Sequence, residues 1–499
     1  MVLQRARSGF LRPSLRARVL MHTGLQLGGK AVTLLAGVLL LSLLTRYLGV
    51  RGFGRYTFVL GFTSLFAVLT DLGSQALAVR EMARHRDRAD RVAGQYFTVK
   101  AAMGAASALA AVVLSLVLPV HSLREPGVVF GIVICAVALL AAPLGGTAIA
   151  VFQTALRMEI PVLSDVMARL LMLAGVAALA AGLTAKGASP AMKLDLVLLI
   201  SAATGVIGAI VIFFAAQRFL HFRPVLYDRL LLWPMVRDSA PLAIVLVVGI
   251  IHYRIDVFIL AAMKGSSAVG LYGVATKLPD VSLAVSAMFM SVAFPVLSQR
   301  AAGEQAPLRR AFQKSLEFML ILGAGIAIFA AVLSPTLARL VGGSGFGDAA
   351  APLAVIAFAI PVMFVNQVFS HMVVAANRQL IGVPVVLSAA LANVVLNVLL
   401  IPHLGVTAPA LVTDITESLS AIGLAVVMIR HYRFAPSLLT PARILAAAAL
   451  AGSATLVVRG FNPYVAAVLG LAVYATALVL TGAIGRDDVT ALLRGEAPA

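Results

Sequence analysis

The sequence predicts an all-α polytopic membrane protein of about fourteen transmembrane helices, and three observations carry that expectation. Of its 499 residues, 61% are hydrophobic and only 12% are charged, with a mean hydropathy of +1.02. Soluble domains carry about 25% charged residues. The apolar residues fall in blocks of 18 to 27 with few charges, the length that crosses a ~30 Å hydrocarbon layer at ~1.5 Å per residue. No water reaches that layer, so each block must pair its backbone internally as a helix.

The spans are expected near residues 23–48, 55–79, 94–118, 127–151, 160–183, 194–216 and 239–262. They continue near 267–296, 315–340, 351–376, 382–402, 404–429, 442–459 and 463–484. No connecting loop exceeds about twenty residues, which leaves no room for a soluble catalytic domain. A transporter, not an enzyme, is expected. The first apolar stretch is too long for a signal h-region and lacks a small-x-small cleavage site, so it reads as a retained helix.

Net charge is +19, from 39 Lys and Arg against 20 Asp and Glu. In a soluble chain such an excess would suggest nucleic acid. Here it follows from the collection of Lys and Arg on cytoplasmic loops, and no nucleic-acid partner is expected. With the N-terminus inside, twenty-five basic residues fall on inner segments and nine on outer ones. The inner set includes Arg5, Arg7, Arg12, Arg16, Arg18, the Arg80–Arg91 run, Arg378, Arg486 and Arg494; the outer set includes Arg46, Arg51, Arg55, Arg124 and Lys186. Both termini are therefore expected in the cytoplasm. The lone Cys135 excludes a disulfide framework and a cysteine metal site.

The link Arg51-Gly52-Phe53-Gly54-Arg55-Tyr56 matches Ser267-Ala268-Val269-Gly270-Leu271-Tyr272 in a hydrophobe-Gly-x-Tyr core, 216 residues apart. The runs ending in Arg157 and Arg378 lie 221 apart. Two lobes of six helices in the same orientation follow, a common transporter plan. The expected division is a basic N-terminus (1–21), an N-lobe (22–216), a cytoplasmic linker (217–238) and a C-lobe (239–430). Two appended helices (431–484) and a cytoplasmic tail (485–499) complete it.

A charge at the bilayer centre costs roughly 2.5–3.5 kcal/mol on insertion scales, so charges inside spans need a reason. Lys30 and Lys100 lie near a cytoplasmic end and can snorkel. Asp165 and Arg169 are spaced to neutralise each other. Arg254 and Asp256 are about 200° apart around a helix and cannot simply pair. Lys277 and Asp280 share a face, and Pro279 between them is expected to kink their helix. Arg254 is the first candidate for gripping a phosphate, since guanidinium binds it bidentately. Lys277 is second, with Lys30, Lys100 and Arg46 behind. Asp256, then Asp71, then Asp280 are the candidates for carrying a coupling H⁺ or Na⁺.

Several motifs are decoys. Gly24 to Lys30 fits part of a phosphate-binding loop, but it lacks the following Ser or Thr and runs into a membrane helix. His252 and His371 read as histidines satisfied within the bundle. No metal, nucleotide or other cofactor motif is present.

Thr45-Arg46-Tyr47-Leu48-Gly49, Gly52-Phe53-Gly54-Arg55-Tyr56 and Asp71-Leu72-Gly73 with Ala78-Val79-Arg80-Glu81 resemble the opening of bacterial oligosaccharide flippases. These are the O-antigen and exopolysaccharide repeat-unit translocases of the multidrug/oligosaccharidyl-lipid/polysaccharide exporter superfamily. Tyr253-Arg254-Ile255-Asp256, Val269-Gly270-Leu271-Tyr272, Ala275-Thr276-Lys277-Leu278 and Asn393 through Asn397 to Ile401-Pro402 are similar to later motifs of that family, across about residues 22–430. The resemblance implies two lobes around a central, often cationic, cavity. It implies alternating access, often ion-coupled, and a polyprenyl-pyrophosphate-linked glycan as substrate. The setting would be the bacterial cytoplasmic membrane, with membrane lipid and a polysaccharide polymerase complex as partners. The alternatives are a lipid II flippase, a drug/cation antiporter of the same superfamily, or a non-transporting component of a glycan assembly complex.

Overall fold

The computed structural model describes residues 15–71, 73–183, 187–223, 229–301, 305–375, 379–432, 437 and 439–484. Arg5, Arg7, Arg12, Leu72, Lys186, Arg378, Arg486 and Arg494 lie outside them. The helices are α1 (Leu15–Leu69), α2 (Ser74–Arg84), α3 (Ala89–Val117), α4 (Val128–Thr154), α5 (Glu159–Ala178) and α6 (Pro190–Leu220). The chain continues through α7 (Arg229–Ala275), α8 (Lys277–Ala301), α9 (Gln305–Val332), α10 (Ser334–Gly342) and α11 (Ala350–Ile356). It ends in α12 (Ala359–Ala375), α13 (Gln379–Leu404), α14 (Ala408–Tyr432), α15 (Leu439–Val458) and α16 (Pro463–Leu480). No strand occurs among the described residues.

The chain is a multi-pass membrane protein. Among the described residues, ten helical stretches are long and apolar enough to cross a bilayer, or eleven if the pair bent by 47° between residues 356 and 359 is one span. The expected fourteen is not what this count returns. Three stretches run 42, 54 and 51 residues, about twice the ~20 residues that one crossing takes. Large apolar side chains stand exposed along the helices, among them Leu35, Leu116, Leu391 and Val468, as a lipid-facing surface requires.

Two breaks organise the bundle. α1 bends at Gly49 (φ 67°, ψ 178°) and α7 at Gly265 (φ 76°, ψ −177°). Glycine adopts this conformation without a Cβ penalty, and the two positions stand at the repeat offset read from the sequence. Beyond the breaks the two helices cross backbone to backbone. A Cβ on Gly54 would drive into the Ser266 carbonyl oxygen, and one on Gly270 into that of Val50. The crossing is reciprocal, because 50 and 54 stand to 266 and 270 at that same offset.

Other expectations shift in detail. The second expected span is interrupted at residues 70–73, where Gly73 in the left-handed region (φ 78°) starts α2. The break in the eighth falls at Thr276, so Pro279 occupies the first turn of α8. Proline is tolerated there because the N–H it lacks has no intrahelical acceptor. Asp165 accepts from Thr33 at 3.3 Å rather than bridging Arg169. α15 and α16 pack on α9, where the Tyr474 hydroxyl donates to the Ile321 carbonyl at 2.7 Å.

Candidate functional site

α7, α8, α11, α12, α13 and α14 line a small cavity of about 30 Å³. Its wall brings together His252, Arg254, Asp256, Asp280, Asn393 and Glu417. Arg254 and Asp256 do not pair, as their angular separation on α7 predicts. Asp256 is buried and receives the Tyr272 hydroxyl at 2.5 Å and the Val257 N–H at 2.7 Å. Arg254 stacks over the Tyr253 ring, 5.0 Å from its centroid, while its Nε is buried without a hydrogen-bond partner. A buried guanidinium N–H with no acceptor is costly, and Arg254 is one of the residues that line the cavity.

Asp280 is engaged through both oxygens. The Tyr253 hydroxyl donates to one, and Lys277 Nζ donates to the other at 3.0 Å. The Lys277 side chain remains 36% exposed, so its charge is available beyond that bond. Glu417 accepts from Asn366 Nδ2 at 2.7 Å and lies 3.8 Å from His252 Nε2. His371 is satisfied as expected, against the Gln367 carbonyl at 2.7 Å. His252 is not: its Nδ1 is buried and has no partner. Among the described residues no three His, Cys, Asp or Glu side chains are grouped to hold a metal ion.

The remaining candidates lie elsewhere. Asp71 and Lys100 pair with each other at 3.1 Å in the first half of the chain. Lys30 is exposed on α1. Arg46 donates to the Leu340 carbonyl at 3.2 Å, near the α1 break. The structure thus gathers Arg254, Asp256 and Asp280 on the cavity wall, ties Lys277 to that wall through Asp280, and leaves Lys30, Lys100, Arg46 and Asp71 outside it. Sequence reading placed His252 in the background and gave Glu417 no role, because their juxtaposition is between helices far apart in the chain.

The end of the bundle near Gly49 and Gly265 is closed by a polar seam. Ser266 Oγ donates to Glu125 Oε1 at 2.7 Å, while Arg55 and Arg51 hold Oε2 at 2.7 and 3.4 Å. Thr45 donates to the Val341 carbonyl at 3.0 Å, and Ser122 to that of Ala261 at 2.8 Å. Burial pushes the Glu125 carboxyl up, but the Ser266 and Arg55 hydrogen bonds and the two guanidinium charges outweigh it. The group sits below the ordinary glutamate value.

This arrangement, of two crossing half-chains and a charged cavity within a helical bundle, agrees with the family comparison. The family model for polysaccharide biosynthesis proteins matches residues 19–300. The chain belongs to that family. A second model, MatE, matches residues 241–399. No match was found among curated proteins. Among solved structures the fold is similar to the lipid II flippase MurJ in an inward closed conformation, at 12% identity and TM-score 0.68. That match covers 92% of this chain and 98% of that one. It is also similar to a multidrug resistance MATE transporter of the MOP superfamily in an inward-facing conformation, at 14% identity and TM-score 0.62 over 82% and 98%. A MOP superfamily transporter from Pyrococcus furiosus matches at 12% identity and TM-score 0.55 over 86% and 96%. At these identities the likeness is one of fold.

Proposed function

We propose that the protein is a flippase that carries a polyprenyl-pyrophosphate-linked oligosaccharide across the bacterial cytoplasmic membrane for surface polysaccharide synthesis. Both termini lie in the cytoplasm, so the Gly49/Gly265 end faces outward and its seam closes the outer side. Arg254 carries this reading: a half-buried guanidinium on the cavity wall, with its Nε unpartnered, suits a diphosphate, and Lys277 adds a second, partly exposed charge. The cavity is only about 30 Å³ in this conformation, so the lobes must part to admit a diphosphate. The pyrophosphate binds there while sugar and lipid extend beyond.

Without a nucleotide motif, uphill movement draws on an H⁺ or Na⁺ gradient or on consumption of the product. One charge crossing 100 mV releases ~2.3 kcal/mol. Asp256 is the coupling carrier, since Asp71 and Asp280 each hold a lysine. The test is Arg254→Ala in reconstituted vesicles, which should lose at least tenfold in translocation while the protein still inserts and folds. Normal glycan export by that variant at native expression would remove Arg254 from the site.

A second reading, lipid II as cargo, is favoured by the fold's similarity to MurJ. Both cargoes carry a diphosphate, so the cavity alone does not separate them. The glycan-lipid that accumulates on the cytoplasmic face of a deletion strain does.

A further inference from the structure

His252 and Glu417 face each other across the cavity, and the anion site proposed above makes no use of them. His252 Nε2 lies 3.8 Å from Glu417 Oε1, and each side chain is 15% exposed. Asn366 fixes the carboxylate from behind, its Nδ2 donating to Glu417 Oε2 at 2.7 Å and to the Glu417 carbonyl at 3.0 Å. The acid therefore cannot swing away from the imidazole without losing its bond from Asn366. The other imidazole nitrogen, Nδ1, is buried without a partner.

We propose that the His252–Glu417 pair takes up one proton when a diphosphate binds at Arg254, so that anion binding at this site is proton-linked. The step moves one proton from water onto an imidazole nitrogen, giving an imidazolium that faces the Glu417 carboxylate. Histidine is the side chain that changes charge near neutral pH. Two sets of neighbours pull against each other. Glu417 favours the imidazolium, as does Asp256 one helical turn away on α7. Arg254 on α7 and Lys277 on α8 disfavour it. Asp280 is neutralised largely by Lys277, and Tyr253 and Tyr272 are donors to Asp280 and Asp256. On α14, Asp414 adds a carboxyl with one oxygen unpartnered. From α12, His371 turns away onto Gln367 and the Phe294 ring, and α13 presents the uncharged Asn393. A bound diphosphate offsets the charge of Arg254 and Lys277, so the balance tips toward the imidazolium. Linkage is reciprocal, so the proton in turn strengthens anion binding.

This inference rests on the anion site, and one experiment separates the two. UDP-glucose serves as the probe, because its diphosphate diester stays ionised throughout the range. Its affinity for the purified full-length protein is measured between about pH 6 and about pH 8, where histidine titrates. Proton uptake is read by calorimetry in buffers of different ionisation enthalpy. The wild type should weaken by up to tenfold per pH unit, the limit for one linked proton, and should take up protons on binding. His252→Gln and Glu417→Gln should bind with affinity that changes less than about twofold and take up none. Glu417→Gln keeps the hydrogen-bonding shape toward Asn366, so the inference survives a folding defect in His252→Gln. Binding without pH dependence or proton uptake overturns this inference and leaves the anion site standing. Undiminished pH dependence in both variants also overturns it. Absence of binding at every pH overturns both.

Discussion

Each half of the chain holds an aspartate that shares a lysine and a tyrosine, and the two clusters are built to opposite effect. In the first half, Lys100 Nζ lies 3.1 Å from Asp71 Oδ1, and Tyr96 donates to that same oxygen at 3.2 Å. Lys100 also sits over the Tyr96 ring, 5.3 Å from its centroid, and its side chain is 5% exposed. In the second half, Lys277 and Tyr253 take separate oxygens of Asp280, and the Lys277 side chain is 36% exposed. One ammonium is sealed against its acid; the other is anchored by its acid and still reaches open space. The clusters are not repeat copies, because the offset that takes Gly49 to Gly265 takes Asp71 to Ala287 and Lys100 to Leu316. A lysine in a span is therefore no evidence of a substrate contact. Its exposure after pairing decides.

The largest expected effect follows from the sealed pair. Lys100→Met leaves the Asp71 carboxylate, 35% exposed, without its counter-ion, which should cost between the ~1 kcal/mol of an exposed pair and the ~3 kcal/mol of a buried one. Thermal unfolding of the purified protein in detergent should show a clear drop. The double variant Asp71→Asn with Lys100→Met should recover most of it. A Lys100→Met protein of wild-type stability would remove the distinction between the clusters.

The next effect falls on binding, not stability. Lys277→Met should unfold within about 1 kcal/mol of the wild type, as expected for a partly exposed ion pair. Its affinity for UDP-glucose should drop by about tenfold, the loss of one charge-assisted contact. If Lys277→Met were the less stable of the two lysine variants, the comparison would be inverted.

The sequence made the bundle, the repeat and the same-helix geometry legible, since these depend on local chemistry. Lys277 and Asp280 share a turn, and three-residue spacing shows it. Arg254 and Asp256 could be read as unpaired from the angle between them alone. The repeat was visible at Phe53–Tyr56 and Val269–Tyr272, while the breaks at Gly49 and Gly265 a few residues earlier were not. A single glycine in an apolar run carries no signal until its φ is known. Asp71 with Lys100, and His252 with Glu417, join different helices. The order of residues along the chain does not state which helices touch, so Lys100 looked like a free charge and His252 like a satisfied one.

Glu125 adds a third acid to the comparison and the smallest expected effect. Unlike Asp71 and Asp280, it lies in a connection between helices and binds across the two halves of the chain, to Arg55 on one side and Ser266 on the other. Its carboxyl is held below the ordinary glutamate value of 4.5. A carboxyl depressed in the folded state stabilises it at pH above that value, and the contribution fades as pH falls through the carboxylate range. The seam should hold fully at neutral pH and weaken only below about 4.5. In thermal unfolding followed from neutral pH downward, the wild type should lose about 1 kcal/mol relative to Glu125→Gln, whose amide does not titrate. Ser266→Ala should narrow that difference, because the Ser266 hydroxyl is one of the donors that hold the carboxylate down. Parallel curves for wild type and Glu125→Gln across the acid range would show that Glu125 does not hold the two halves together.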